Sequence, residues 1–352
     1  MRILFLGETY RADALTWMRG VEKESGVKIC TMEVPFAPSR LKRLVYFLKF
    51  FFRIAFSSGE KWDIVMAERS TSYGFFALFV QSKIRVVAQQ GITDAYPETG
   101  FSGVYKRFVQ RLVYKRVDLI HAWGYVMTYA MVECGADPSK IMTLPKGINL
   151  NLYSHVRPFE FNNTIPIGIV TRSLSSIYNH HDILNAFKIL KDRGVNVICW
   201  IVGGGVLEKE LRDLVSTLDI KDRVVLQGKI DNDLLPEKLI KSDFYIAVPE
   251  TEGVSASLFE AMSTGCFPIV TDLPSNRAFI RSGINGFLVP VHSPTRLADA
   301  IQEFLEEPER FSNGILSNRR YVEENVNFEE NMKLIFKEYL RLLANKNKKC
   351  VV

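Results

Sequence analysis

Two carboxylates, Glu252 and Glu260, have seven residues between them in the stretch PETEGVSASLFEAMSTGCFPIVTD. Before them runs the strand-like DFYIAVP; between them lies a small-residue turn that leads into a helical pattern beginning near Ser255 to Ser257. The unpaired N–H groups of such a helix start, aided by the helix dipole, form an anion site suited to a diphosphate. Gly253, Val254, Ser255 and Ser257 would supply that backbone. Donors fixed in advance at the point where negative charge develops are catalytic, so the stretch has the parts for chemistry on a phosphate leaving group. A plainer reading stands beside this one. Ser257 and Glu260 also fit the pattern S-x-x-E, in which the glutamate only closes the helix start.

Residues of this kind need elements that aim them. Strand-like runs alternate with helical patterns along the whole chain, the mark of α/β architecture with parallel sheets. RILFLG, VKICTMEV, DIVMAE, IRVVAQQG and DLIHAWG are the predicted strands of the first half. IPIGIVTRS, NVICWIVGGG, RVVLQGKI, DFYIAVPE, FPIVTD and GFLVPV are those of the second, after a polar stretch from His155 to Pro166 that reads as a linker. Ligands of doubly wound sheets bind outside the carboxyl ends of the strands. Candidate positions are therefore Gly7 and Glu8, Gln90 to Asp94, Arg172, Gly203 to Gly205, and Glu250 to Ser257.

Taken together, these segments resemble the retaining GT-B glycosyltransferases of family 4. LPKGINLNLY looks like the segment that ends the family's first domain, IVTRS like its Gly-Arg turn, WIVGGGVLEKEL like its V-G-x-G loop, and RVVLQGKIDNDLLPEKLIKSDFYI like its base-binding strand and helix. The Glu-x7-Glu pair and SNRAFIRSGINGFLV complete the series. The likeness covers about residues 140–292, while 1–139 match only as a generic Rossmann-like half.

The resemblance implies two Rossmann-like doubly wound domains facing across a cleft: an acceptor domain over 1–157, a donor domain over 158–327, and a helix with a basic tail over 328–352 that crosses back to the first domain. It implies transfer of a sugar, with retention, from a nucleoside diphosphate sugar, UDP-sugar favoured over GDP-sugar. The acceptor would be a hydroxyl of a glycan or lipid-linked glycan in cell-surface polysaccharide or glycoconjugate synthesis. By the same resemblance Arg172, Gly203, Gly205 and Gly7 serve the diphosphate, Glu252 contacts the donor sugar, and Glu260 holds the ribose. No metal, no cofactor besides the donor substrate and no nucleic-acid partner is expected.

Some positions depart from the pattern. Six residues after Arg172 the family usually has a phosphate-binding lysine, and this chain has Tyr178; His180, His181 and Arg11 are candidates to compensate. The family's frequent histidine after the fourth strand is Gln90, whose amide can still bond a sugar hydroxyl. Asp94 is either an acceptor contact or a solvated carboxylate. Asp231 and Asp233 in IDND suggest a metal motif but read better as the cap of the following helix, with Pro236 in its first turn. Leu207 stands near the third glycine position of a dinucleotide fingerprint, which weakens an NAD-dependent oxidoreductase. The runner-up is a sugar-nucleotide-binding module impaired in turnover. His121, in LIHAWG, is either a satisfied strand-end residue or a base.

Composition sets the compartment and the surface. At roughly 150 residues per domain the 352-residue length suggests two domains, and 47% apolar with 24% charged residues is globular rather than disordered. Five scattered cysteines with no CxxC pair argue for a reducing, cytosolic setting. Residues 1–150 hold 21 Lys/Arg against 13 Asp/Glu, so the excess positive charge lies in the first half. Within it, Lys42, Tyr46, Lys49 and Arg53 form one stripe of a helix predicted over 40–56, opposite Leu41, Leu44, Val45, Leu48, Phe51, Phe52 and Ala55. Arg107, Arg111 and Lys115 make a second basic line. Such a helix is either a core element with one solvated stripe or an interfacial one. The interfacial reading predicts attachment to an anionic membrane surface through Lys42, Lys49 and Arg53, on the inner face of the cytoplasmic membrane.

Overall fold

A computed structural model describes residues 1–36, 39–56, 60–89, 100–153 and 164–349. The chain divides into two compact units, one of 1–146 with 328–352, the other of 147–327. The division falls after Lys146, where the resemblance had implied 157. The physical reason is local: the Ile148 N–H donates to the Val326 carbonyl at 2.8 Å, and Ile148 pairs with Asn327, so the two ends of the second unit are tied together.

The first unit is built on a six-stranded parallel sheet of β1 (Ile3–Leu6), β2 (Cys30–Met32), β3 (Trp62–Glu68), β4 (Ser82–Gln89), β5 (Leu119–Ala122) and β6 (Ile141–Thr143), in the order β2-β1-β3-β4-β5-β6. Alternation along the strands sends Leu4, Leu6, Val65 and Ala67 to one face and Ile3, Phe5, Ile64 and Met66 to the other. The first face is covered by helices α2 (Arg40–Phe56) and α3 (Phe101–Arg116), through Phe50, Ile54, Val109 and Val113. The second is covered by α1 (Ala12–Ser25) and by a C-terminal helix, Phe328–Lys349.

That C-terminal helix completes the core of the first unit. Met332, Ile335, Phe336 and Tyr339 are buried with Trp17 of α1. The Trp17 indole donates to the Tyr339 hydroxyl at 3.1 Å, and that hydroxyl lies 2.7 Å from His121 Nε2. An indole N–H can only donate, so the Tyr339 hydroxyl accepts from it and donates to the imidazole in the tautomer whose Nε2 is unprotonated. Burial lowers the His121 pKa to about 3, so the ring is neutral. His121 is thus a core residue of β5, bonded through Nε2, while its Nδ1 is buried without a partner among the described residues.

The second unit has a sheet of β7 (Ile167–Val170), β8 (Ile198–Val202), β9 (Val224–Gly228), β10 (Phe244–Ala247), β11 (Phe267–Thr271) and β12 (Phe287–Val289), all parallel, ordered β12-β11-β10-β7-β8-β9. Each sheet reverses its winding once, between β1 and β3 in the first unit and between β7 and β10 in the second. Loops leaving two adjacent strands diverge there, and the gap between them is where doubly wound sheets bind ligands. Among the described residues no helix is long and apolar enough to cross a membrane.

Candidate active site

Arg172 leaves the end of β7, and the segment 248–255 leaves the end of β10, so both arise at the switch point of the second unit. Ser255 caps the helix that follows, α5 (Ala256–Thr264), its Oγ accepting from the Leu258 N–H at 3.2 Å. The cap is therefore Ser255 and not Ser257, which places Glu260 beyond the reach of a capping box. Ser257 instead accepts from the Tyr245 hydroxyl at 3.0 Å and lies 3.2 Å from Ser255 Oγ.

Arg172 is the hub of this cluster. Its Nη2 donates to the Glu252 carboxylate and to Ser255 Oγ. Its Nε is buried and makes no hydrogen bond among the described residues. The side chains of Arg172 and Glu252 are only 14% and 15% exposed, so the pair sits where charge interactions are poorly screened. The guanidinium lies over the ring of Tyr178, 5.1 Å from its centroid. Tyr178 ends a short 3-10 turn, Ser176–Tyr178; Asn179 follows in the left-handed region (φ 49°) and donates from Nδ2 to the Val248 carbonyl at 3.0 Å, so the start of α4 (His180–Asp192) is tied to the loop after β10.

The glycines act by permitting close approach of backbone to backbone. A Cβ on Gly203 would come within 2.1 Å of the Arg172 carbonyl oxygen, and one on Gly205 within 2.3 Å of that of Leu174. Gly203 and Gly205 therefore let the loop after β8 lie against 172–174, fixing the turn that carries Arg172. Gly253 is buried and Val254 partly buried in the turn before the cap. Gly7, in the first unit, is equally constrained, since a Cβ there would meet Glu68 Cβ at 2.8 Å and the Phe5 ring at 2.5 Å.

Glu260 lies in the second turn of α5. Burial raises its carboxyl pKa above the usual range, against the pull of a hydrogen bond from the Tyr153 hydroxyl and of Arg172. Tyr153 and Tyr245 were not singled out in the sequence. Tyr245 carries a weak signal, a polar-tipped aromatic in the buried run DFYIAV, and Tyr153 carries none beyond ending NLNLY.

Of the groups that could stand in for the missing lysine, His181 pairs with Glu210 at 2.7 Å, and Arg11, in the first unit, contacts Glu68 at 3.4 Å and Glu8 at 3.5 Å. His180 is fully buried, and neither ring nitrogen has a partner among the described residues. Burial, followed by the nearby His181 and Arg172, lowers its pKa to about 4. It is therefore neutral at pH 7, and it is Tyr178 that touches Arg172. Asp231 precedes the 3-10 turn Asn232–Leu234 without a side-chain cap bond, and Pro236 is the second residue of the next helix, Leu235–Ile240. Gln90 and Asp94 lie outside the described residues.

Residues 156–325, within the second unit, match the family described as glycosyl transferases group 1. The chain is 24% identical over 254 residues to the N-acetylgalactosamine-N,N'-diacetylbacillosaminyl-diphospho-undecaprenol 4-alpha-N-acetylgalactosaminyltransferase of Campylobacter jejuni, covering 71% of this chain and 68% of that one. It is 25% identical over 199 residues to the putative colanic acid biosynthesis glycosyltransferase WcaL of Salmonella typhimurium, covering 54% of this chain but only 48%, about half, of WcaL. Among solved structures, HepE of Anabaena in complex with UDP superposes with a TM-score of 0.75 over 97% of this chain and 100% of that one, at 15% identity. Sucrose-phosphate synthase of Thermosynechococcus elongatus gives 0.80 over 98% and 100%, also at 15% identity. At such identities the likeness speaks for the fold, which is that of the GT-B glycosyltransferases.

Proposed function

We propose that this protein is a retaining, family 4 glycosyltransferase that moves a sugar from a nucleoside diphosphate sugar, preferably a UDP-sugar, to a hydroxyl of a glycan or lipid-linked glycan acceptor. The observation that carries this reading is the convergence of Arg172, Glu252 and the capped start of α5 at the β7/β10 switch point, with one guanidinium N–H left unpartnered. As the bond from the anomeric carbon to the phosphate oxygen breaks, charge grows on the departing diphosphate. Arg172 and the N–H groups of 253–257 meet it. Glu252, released from Arg172 as the diphosphate arrives, orients the sugar hydroxyls; Glu260 and Tyr153 receive the ribose. The acceptor oxygen bonds the anomeric carbon on the face the phosphate leaves, and its proton goes to the departing phosphate oxygen. With guanidinium and helix start neutralising the phosphate, no metal or cofactor is needed for the step.

A lipid-linked acceptor and a membrane address follow from the first unit. On α2, Leu41, Leu44, Val45, Leu48 and Phe52 are exposed, while its core contacts are made by Phe47, Phe50, Phe51 and Ile54. Of the apolar face named from the sequence, Leu41, Leu44, Val45, Leu48 and Phe52 are thus turned outward and Phe51 inward, beside exposed Lys42, Lys49 and Arg53, and the helix has no acidic residue. On α3, Val104, Tyr105 and Phe108 are exposed beside Arg107, Arg111 and Lys115. Apolar residues flanked by cations, on two helices covering one face of the same sheet, suit an anionic leaflet. We therefore place the protein peripherally on the inner face of the cytoplasmic membrane. The Campylobacter relative, whose name includes a diphospho-undecaprenol, supports an acceptor of this kind.

The test is to incubate the purified protein with UDP-, GDP- and ADP-sugars and lipid-linked acceptors, with and without chelator. Nucleotide release and the anomeric configuration of the product are then read by NMR. Inversion, or a strict need for added metal, would remove the mechanism. The replacement of the family lysine by Tyr178 favours a second reading, a sugar-nucleotide-binding module without turnover. That reading predicts thermal protection by UDP with no release of nucleotide from any donor.

A further inference from the structure

The switch point of the first unit, between β1 and β3, holds a cavity of about 230 Å³ whose walls include Glu8, Tyr10, Phe36, Phe47, Arg69 and Ser72. Its floor is built from charged groups. The Arg69 guanidinium grips the Glu8 carboxylate at 2.9 and 3.4 Å, and the Glu8 N–H donates at 2.7 Å to Glu68, which is fully buried. Arg69 itself has φ 68°, an unusual value for a residue with a side chain, and opens a five-residue π-helical turn, Arg69–Tyr73. Both features cost energy and are concentrated at functional sites. The Ser72 hydroxyl in the wall is buried without a partner among the described residues. Phe36, 84% exposed, and Phe47 add aromatic surface.

We propose that this cavity binds the terminal sugar of the acceptor, and that this sugar is uncharged. A carboxylate accepts and a guanidinium donates, so neighbouring hydroxyls of a pyranose find both kinds of partner on one ion pair, with Ser72 as a third. The aromatic rings suit the C–H faces of the ring. The sign of the field selects against an anion: Glu8, Glu33 and Glu68 outnumber Arg11 and Arg69, Glu33 being held at the same strand ends by the Thr9 N–H at 3.0 Å and hydroxyl at 2.7 Å. Phe47 comes from α2, so a sugar held here lies beside the helix assigned to the membrane. The inference rests on the glycosyltransferase reading and adds to it the place and the charge class of the acceptor.

Two probes with one alkyl chain, octyl β-glucopyranoside and octyl β-glucuronide, both below micelle formation, separate the head group from the tail. Titration by NMR is expected to give saturable, millimolar binding of the neutral glycoside and weaker binding of the uronic acid. Phe36→Ala and Glu8→Gln should each weaken the neutral probe roughly five-fold, and Glu8→Gln should narrow the gap to the uronic acid. Preference for the uronic acid, unchanged affinity in both variants, or no saturable binding would overturn the proposal. UDP titrated into the same samples reads the second unit. Failure of the wild type to bind UDP would count against the glycosyltransferase reading and leave the cavity result standing.

Discussion

The guanidinium of Arg172 lies over the ring of Tyr178, with 5.1 Å between the cation and the ring centroid, at the position where the family resemblance leads one to expect a lysine. A neutral ring cannot attract a diphosphate as a lysine would, but it can hold Arg172 in place. Tyr178→Ala should therefore weaken UDP binding and turnover together, by about 0.5 to 2 kcal/mol. Tyr178→Phe keeps the ring and should stay near wild type. A Phe variant as poor as the Ala variant would assign the role to the hydroxyl instead.

Glu252→Gln removes one charge while nearly keeping shape. Turnover should fall on the order of 10²- to 10³-fold with the circular dichroism and melting curve of a folded protein. Steady-state rates within threefold of wild type would take Glu252 out of the site.

Arg172→Ala should separate nucleotides by charge. Loss of charge-assisted bonds predicts a drop of roughly tenfold or more for UDP and little change for uridine, measurable by calorimetry. Equal losses for both would place Arg172 away from the diphosphate.

His121 and His180 make stability depend on pH. Their folded-state pKa values, about 3 and about 4, lie below the ordinary value, so the unfolded chain takes up protons first. The stability they contribute is complete above pH ~6.5 and drains away as pH falls toward those values, at about 1.4 kcal/mol per pH unit for each. Denaturation midpoints at pH 7 and pH 5 should reveal the slope. His121→Gln, which keeps an acceptor for Tyr339 but does not titrate, should flatten it.

Lys42, Lys49 and Arg53 changed together to Glu should abolish co-sedimentation with anionic vesicles, since each cation contributes roughly 1 kcal/mol at such a surface. Wild-type binding should weaken with salt. Vesicle binding that ignores both salt and the substitutions would return α2 to an ordinary protein surface.

Eleven of the twelve strands, all but β6, need no three-dimensional knowledge to find, and those buried on both faces leave continuous apolar runs such as ILFL and IGIV. The half-buried, three-residue β6 at a sheet edge leaves no such run. Arg172 and Glu252 were legible because they lie in the loops that leave the carboxyl ends of β7 and β10. What Tyr178, Tyr245 and Tyr153 touch was not, since only the folded path of the loops and of α5 brings Arg172, Ser257 and Glu260 to them. The glycines after β8 were visible as glycines, but the carbonyl oxygens of Arg172 and Leu174 that exclude a side chain there were not. On α2 the wheel identified the basic stripe, yet only packing could tell that Phe50 and Ile54 face the sheet.

The hydroxyl of Tyr339 between Trp17 and His121 also sets an order of events during synthesis. A ribosome that has released residues 1–327 has supplied everything the second unit requires, whereas the first unit, though it began to emerge earlier, still lacks one wall of its core. The domain that starts last can thus finish first. For the same reason 147–327 is a cassette spliced into its neighbour, and exchanging it between enzymes takes two cuts, at 146/147 and 327/328, with the final helix left behind on the parent chain.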